Sequence, residues 1–371
     1  MSDPVVLFRE LGAPGGRRFG VATLNAPAAL NALSAGMVRL LTPRLRAWAA
    51  DPNVAGVLLD AAGDKAFCAG GDLRQLYQSI REHGAERNPD AEAFFSEEYE
   101  LDHLIHTYPK PLLVWGHGIV MGGGVGLMAG GSHRVVTERT RLAMPEIGIG
   151  LFPDVGGSWF LPRMPGRTGL FLAFTAAPLN AADAIHGHLA DAFVPHDRKP
   201  QVLAALAATA WVGERVRDGA TLTALLAAAG EGAVPPDSLV RRHTTTIEGL
   251  VAGDDLAAIA ARLRGLHSDD PWLQAGVASF AKGSPTSAAL SWALWHRARG
   301  LALADVFRLE YHAALGCCAH ADFVEGIRAL LIDKDRQPRW QPATLDAVTA
   351  DLIDDHLRPR GDLPARLAHL T

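Results

Sequence analysis

Residues 118–161, GIVMGGGVGLMAGGSHRVVTERTRLAMPEIGIGLFPDVGGSWFL, constrain this chain more than any other stretch. Three consecutive glycines, Gly122, Gly123 and Gly124, open it, and two acids, Glu146 and Asp154, each preceded by proline, close it. Glycines let a ligand approach the main chain, and a glycine-rich strand-to-helix turn directs unpaired N–H groups at it. The two carboxyls sit in an otherwise apolar run, where desolvation raises carboxylate pKa values and makes proton transfer near neutral pH feasible. The combination predicts a site that stabilises an oxyanion with backbone amides and does acid–base or nucleophilic work with carboxylates.

The pattern along the chain predicts an α/β fold. Residues 4–9 and 19–24 read as short strands joined by a Gly/Pro turn, and Ser34 as the N-cap of a helix running to about residue 49. VAGVLLD (54–60) and PLLVWG (111–116) are apolar runs of strand length, which predicts buried strands and favours parallel pairing. Helices are expected from Leu73, over 90–108 and just after the triple glycine, with HRVVTE a further strand. Beyond residue 200 Ala and Leu dominate, and 199–213, 237–264, 286–298, 303–319 and 321–331 are helix candidates. A single core rarely grows beyond roughly 250–300 residues. The 371 residues therefore divide into a core at 1–198 and a helical region at 199–371.

Composition excludes several classes. The chain is 49% hydrophobic and 20% charged, with a net charge of -5 and no long basic run, which argues against disorder and against nucleic acid as a partner. No apolar run has the length of a membrane span, and the first residues, MSDPVVLFRE, do not read as a secretory signal. Cys68, Cys317 and Cys318 are odd in number and two are adjacent, so no disulfide framework is implied and a reducing cytoplasm is expected. His103 and His106 lie one helical turn apart without a third ligand, so no metal site is expected.

FCAGGDL (67–73) is a second glycine turn, in which Asp72 reads as a helix cap and the N–H of Gly71 faces a pocket. Asp154 also reads as the cap of a helix starting near Val155, Glu146 as the cap of a turn, and Glu98 as part of a solvated helix face.

With LNALS (30–34), FCAGGDL (67–73), FFSEEY (94–99), GIVMGGGVGL (118–127), AMPEIGIGLFPDVGGSWFLPR (143–163), SPTS (284–287) and DFVEGIRALLIDKDRQPRW (322–340), nearly the whole chain resembles the crotonase (enoyl-CoA hydratase/isomerase) superfamily. Within it the resemblance is to the 3-hydroxyisobutyryl-CoA hydrolases. It implies a spiral of ββα turns followed by a helical C-terminal region. It also implies an acyl-CoA thioester bound with its oxygen between the amides of Gly71 and Gly123. Glu146 would attack the thioester carbon or activate water, and Asp154 would orient the substrate hydroxyl or assist proton transfer. Glu98 would line the substrate pocket, and Arg74 would meet a CoA phosphate. Hydratases commonly carry a glutamate where this chain has Gly126, and a glycine where it has Asp154, so the acid pair has moved. Coenzyme A is then part of the substrate and no separate cofactor is implied. The superfamily often forms trimers, so a homo-oligomer is among the expected partners. The competing expectations are an enoyl-CoA hydratase or isomerase and an inert acyl-CoA-binding protein.

Overall fold

The computed structural model describes residues 3–84, 87–360 and 363–371. The first two apolar runs form β1 (Val6–Gly12) and β2 (Arg18–Leu24), an antiparallel hairpin in register from Val6 opposite Leu24 to Gly12 opposite Arg18. Ser34 caps the next helix, Ala35–Ala50, by accepting from the Met37 amide at 3.2 Å.

Six of the strands that follow come in pairs. These are β3 (Val54–Ala61) with β4 (Ala66–Cys68), β5 (Leu112–Gly116) with β6 (Ile119–Met121), and β7 (His133–Val136) with β8 (Arg141–Ala143). The short β9 (Ala192–Phe193) comes last. The first member of each pair enters a six-stranded sheet of order β1-β2-β3-β5-β7-β9, and the second enters a three-stranded sheet, β4-β6-β8. From β2 to β9 the large sheet is parallel throughout. A helix follows each of the first two pairs, Leu73–His83 after β4 and Gly123–Ala129 after β6, which gives a recurring strand–strand–helix turn. Every residue of β3 is buried, as expected of an interior parallel strand covered on both faces.

Contacts divide the chain into two compact units. The first comprises residues 1–71, 101–142 and 179–241 and holds the sheets. Its core joins Phe19, Val21, Leu58, Leu113 and Trp115 on the strands to Leu206 and Trp211, and to Leu222 and Leu226 on the helix Arg215–Gly230. The second comprises residues 72–100, 143–178 and 242–371 and is helical. Its helices Leu256–Arg264, Pro271–Lys282 and Pro285–Arg297 are capped by the side chains of Asp255, Asp270 and Ser284. Proline fills the first turn of the last two, where its missing N–H has no intrahelical acceptor to lose.

Two expectations about the helices change. The single helix expected over 237–264 is three, Leu239–Arg242, Thr244–Leu250 and Leu256–Arg264. Gly253, at φ 79°, turns the chain out of the helix, and Asp255 starts the next one. The helices Arg215–Gly230 and Pro271–Lys282 are additional to those expected. The carboxy-terminal candidates at 286–298 and 303–319 are present as Pro285–Arg297 and Leu303–Ala319. No helix among the described residues is long and apolar enough to cross a membrane.

Candidate active site

In the first unit, β4 and β6 run side by side in parallel, with Cys68 paired to Val120. Three residues beyond each partner stand Gly71 and Gly123. The two amides thus leave neighbouring strand ends, which lie about 4.8 Å apart, at the same level. The first loop is held by Leu33, whose N–H donates to the Gly70 carbonyl at 2.8 Å, and by Ala69, which donates to the Leu30 carbonyl at 3.1 Å. This bridge leaves the N–H of Gly71 unused. Gly123 opens its helix and has no acceptor one turn back. Among the described residues neither N–H donates to a carbonyl of a turn, loop or cap.

The glycine requirement is steric. Gly122 has φ 50° and ψ −122°, a region closed to side chains. A Cβ at Gly124 would lie 2.4 Å from the Cys68 carbonyl oxygen. The helix start is therefore seated directly on the end of β4.

In the second unit four carboxyls gather away from water. Glu98, Glu146, Asp154 and Glu310 are 3%, 4%, 5% and 0% exposed. Two helices carry Glu98 and Glu310 in the same way, each one turn beyond a buried phenylalanine: Phe95 then Glu98 on Pro89–His106, Phe307 then Glu310 on Leu303–Ala319. Tyr99, next to Glu98, has ring centroids 5.8 Å from Phe95 and 5.7 Å from Phe307, and its hydroxyl donates to Asp154 Oδ2 at 2.8 Å. Glu146 opens a short 3-10 turn, Glu146–Ile149, and its Oε2 is buried with no hydrogen-bond partner among the described residues. Glu310 accepts from the amides of Gly156 at 2.7 Å and Ser158 at 2.8 Å. Between Asp154 and Gly156, Val155 has φ 51°. A β-branched residue there is strained by about 1–3 kcal/mol and is held by its surroundings.

Burial raises the proton affinity of all four, and the charge of Asp154 adds to it at the other three. Burial pushes Glu146 well above its ordinary range, and the charges of Asp154 and Glu98 add to the push. Glu98 is raised by burial and then by Asp154. Burial lifts Asp154 to about 6 against the opposing hydrogen bond from Tyr99. Glu310 is lifted by burial to about 8, although two backbone amides pull it the other way. Such a set holds protons near neutral pH and places one unbonded carboxylate oxygen, that of Glu146, where it is free to act.

Two structural expectations are corrected here. The helix near Val155 begins at Gly157 with Gly156 before it, so Asp154 does not cap it; its carboxylate accepts from Tyr99 instead. Glu98 is not on a solvated face but is buried. Asp72 does cap its helix, accepting from the Arg74 amide at 3.3 Å, and Arg74 itself is exposed in the first turn. Sequence reasoning missed Tyr99 and Glu310. Glu310 had a legible signal, a lone acid on the apolar stripe Phe307, Tyr311, Ala314 of a helix.

Comparison with known proteins follows the same lines. Residues 19–357 match the model of the enoyl-CoA hydratase/isomerase family. A mitochondrial 3-hydroxyisobutyryl-CoA hydrolase of Danio rerio is 39% identical over 349 residues, 94% of this chain and 88% of the relative. That of Homo sapiens is 36% identical, over 92% of this chain and 86% of the relative. Among solved structures, an enoyl-CoA hydratase from Rhodobacter sphaeroides superposes with a TM-score of 0.82 at 36% identity, over 96% of this chain and 98% of the other. A carnitinyl-CoA dehydratase from Mycobacterium thermoresistibile does so with 0.84 at 39%, over 98% and 99%. The strand–strand–helix turns, the mixed sheets and the helical carboxy-terminal region are thus shared along nearly the full length, and the chain belongs to the enoyl-CoA hydratase/isomerase (crotonase) family of acyl-CoA enzymes.

Proposed function

We propose that this chain hydrolyses a short 3-hydroxyacyl-CoA thioester, with 3-hydroxyisobutyryl-CoA, an intermediate of valine breakdown, as its main substrate. The observation that carries the reading is the unbonded, buried carboxylate oxygen of Glu146 beside Asp154, in a chain whose triple-glycine helix has Gly126 where hydratases carry an acid. Hydration of a C=C bond calls for two acids around one water. Thioester hydrolysis calls for one oxygen delivered to the carbonyl carbon and for donors on the carbonyl oxygen.

In this reading the N–H groups of Gly71 and Gly123 take the thioester oxygen as it gains charge. Glu146 delivers the oxygen, either by attacking the carbon itself or by taking the proton of an attacking water. The thiolate of coenzyme A leaves; where Glu146 has itself attacked, water then hydrolyses the acyl–Glu146 anhydride, and in either case the 3-hydroxy acid is released with Glu146 restored. Buried carboxylates accept from a hydroxyl and have nothing to offer an unsubstituted alkyl chain, so Asp154 and Glu98 favour a 3-hydroxyacyl group. Arg74, exposed at a helix start, is assigned to a CoA phosphate. The buried cysteines, none of them in a disulfide, suit a reducing compartment, and the proposal places the enzyme in the cytoplasm.

The test is thiol release from a small panel of esters, including 3-hydroxyisobutyryl-CoA, 3-hydroxypropionyl-CoA and crotonyl-CoA. The two hydroxyacyl esters should free a thiol. Loss of the crotonyl-CoA enoyl absorbance without thiol release would make the protein a hydratase instead, and binding of all three without turnover would make it an inert binder.

Removing the Tyr99 hydroxyl should move the pH profile. That hydroxyl favours the ionised form of Asp154. A hydrogen bond to a charged group contributes about 1.5–3 kcal/mol, and one pKa unit is about 1.36 kcal/mol, so the acidic limb of kcat/KM in Tyr99→Phe should shift upward by roughly one to two pH units. An unmoved limb would mean that Asp154 does not govern it.

A further inference from the structure

We propose that Glu310 is a positioning residue for Asp154, acting through the backbone of residues 155–158. The inference rests on the hydrolase reading in that Asp154 is the group being aimed.

Both carboxylate oxygens of Glu310 are occupied, Oε2 by the Gly156 amide at 2.7 Å and Oε1 by the Ser158 amide at 2.8 Å. The side chain is completely buried, and its oxygens are committed to main chain rather than to a ligand. Two amides two residues apart reach one carboxylate only if the chain turns tightly between them. Gly156, at φ 88°, opens that turn, and Val155, at φ 51°, sets the angle at which the chain enters it from Asp154. Glycine adopts such a conformation freely and valine does not, so Val155 needs an external hold. Glu310 supplies it. The Ser158 amide is one of the first-turn N–H groups of the helix Gly157–Phe160, which has no side-chain cap of its own, so Glu310 serves that helix from a distant one.

The carboxylate of Asp154 is meanwhile fixed at its tip by the Tyr99 hydroxyl. Asp154 is thus held twice, by Tyr99 at the oxygen and by Glu310 at the main chain immediately beyond it. Without Glu310, Val155 relaxes toward an ordinary backbone region and carries the Asp154 Cα–Cβ direction with it. The tip hydrogen bond alone then fixes only distance, not orientation.

The experiment compares Glu310→Ala and Glu310→Gln in thiol release and in hydrogen exchange of the segment 153–160. Misplacement of a reacting group by about 1 Å can cost 10²-fold, so Glu310→Ala should lose kcat by roughly 10²-fold and Glu310→Gln, which keeps one acceptor oxygen, by roughly tenfold. KM should stay within about threefold in both, because contacts to the body of the coenzyme are untouched and only the group at the acyl hydroxyl loses its aim. Exchange of the segment should rise about tenfold or more in each. A purely structural role would lower the melting temperature and leave the kcat of the folded fraction intact, and that result would overturn the proposal. Should the alanine variant not fold, the glutamine variant decides. If the wild type releases no thiol from any ester, the hydrolase reading fails by itself; unchanged exchange in the variants is what removes the hold on residues 155–158.

Discussion

Thiol release from 3-hydroxyisobutyryl-CoA should fall by roughly 10²–10⁴-fold in Glu146→Gln, the range by which positioned acid–base groups contribute. The substitution keeps the shape and removes the charge. Glu146 is buried, its Oε2 meets no donor among the described residues, and its proton affinity is driven up by that burial first and by the neighbouring acids second. A carboxyl kept in such a place for stability would be paired; this one is costly where it stands. The loss should appear in kcat with little change in KM, because the group acts on the reacting carbon and not on the body of the coenzyme.

Stability should move the other way. The folded-state pKa of Glu146 lies above its ordinary value of 4.5, so the wild type loses stability as pH rises through and beyond that value, whereas glutamine has no proton to lose. Glu146→Gln should therefore melt above the wild type at pH 8 and close to it at pH 4, measured by thermal unfolding of the free protein. A near-normal rate, or a variant less stable at high pH, would take Glu146 out of the role assigned to it.

The readable parts of this molecule are those decided within a few residues of chain. Ser34 and Asp72 announce their helices because a cap is a local hydrogen bond, and β3 announces itself because a strand covered on both faces must be apolar at every position. The two glycine turns are legible for a similar reason, since Gly70 at φ 100° and Gly122 at φ 50° answer to backbone geometry and Gly124 to a close approach. The division of the sequence at residue 198 follows the change from strands to helices, and β9 is the last strand. The compact units instead draw on segments far apart in sequence, which composition along the chain does not encode.

The carboxyl cluster shows the same boundary. Glu146 and Asp154 stand out as acids in an apolar run, but whether Asp154 caps a helix or accepts from Tyr99 depends on a residue 55 positions away. Glu310 lies 154 positions from Gly156, and nothing local to either residue joins them. Glu98 has the spacing of a surface acid until the helix Leu303–Ala319, which brings Phe307 against Tyr99, is in view. What is missed is thus long-range pairing of polar groups, which carries no period along the sequence.

The amide pair admits a test independent of the carboxylates. In Gly124→Ala, the new methyl would sit 2.4 Å from the Cys68 carbonyl oxygen and 2.9 Å from Cys68 Cβ. These are main-chain and short side-chain atoms that cannot swing away, so the start of the helix or the end of β4 must move. Gly123 lies next to the moving residue and Gly71 three residues beyond Cys68, so their amides lose the level alignment that the parallel register of β4 and β6 provides. Losing one oxyanion donor costs roughly 10²–10³-fold in kcat, and Gly124→Ala should fall in that range. Overpacking costs about 1–3 kcal/mol, so a moderate drop in melting temperature should accompany it. The pH profile should keep its shape, because the groups that titrate are in the other unit of the chain. Gly249→Ala is the matched control: its Cβ meets nothing within 4 Å, so turnover should be unchanged and stability raised by about 0.4–1 kcal/mol. A folded Gly124→Ala variant with the full wild-type rate would show that the backbone of the triple glycine takes no part in binding the reacting carbonyl.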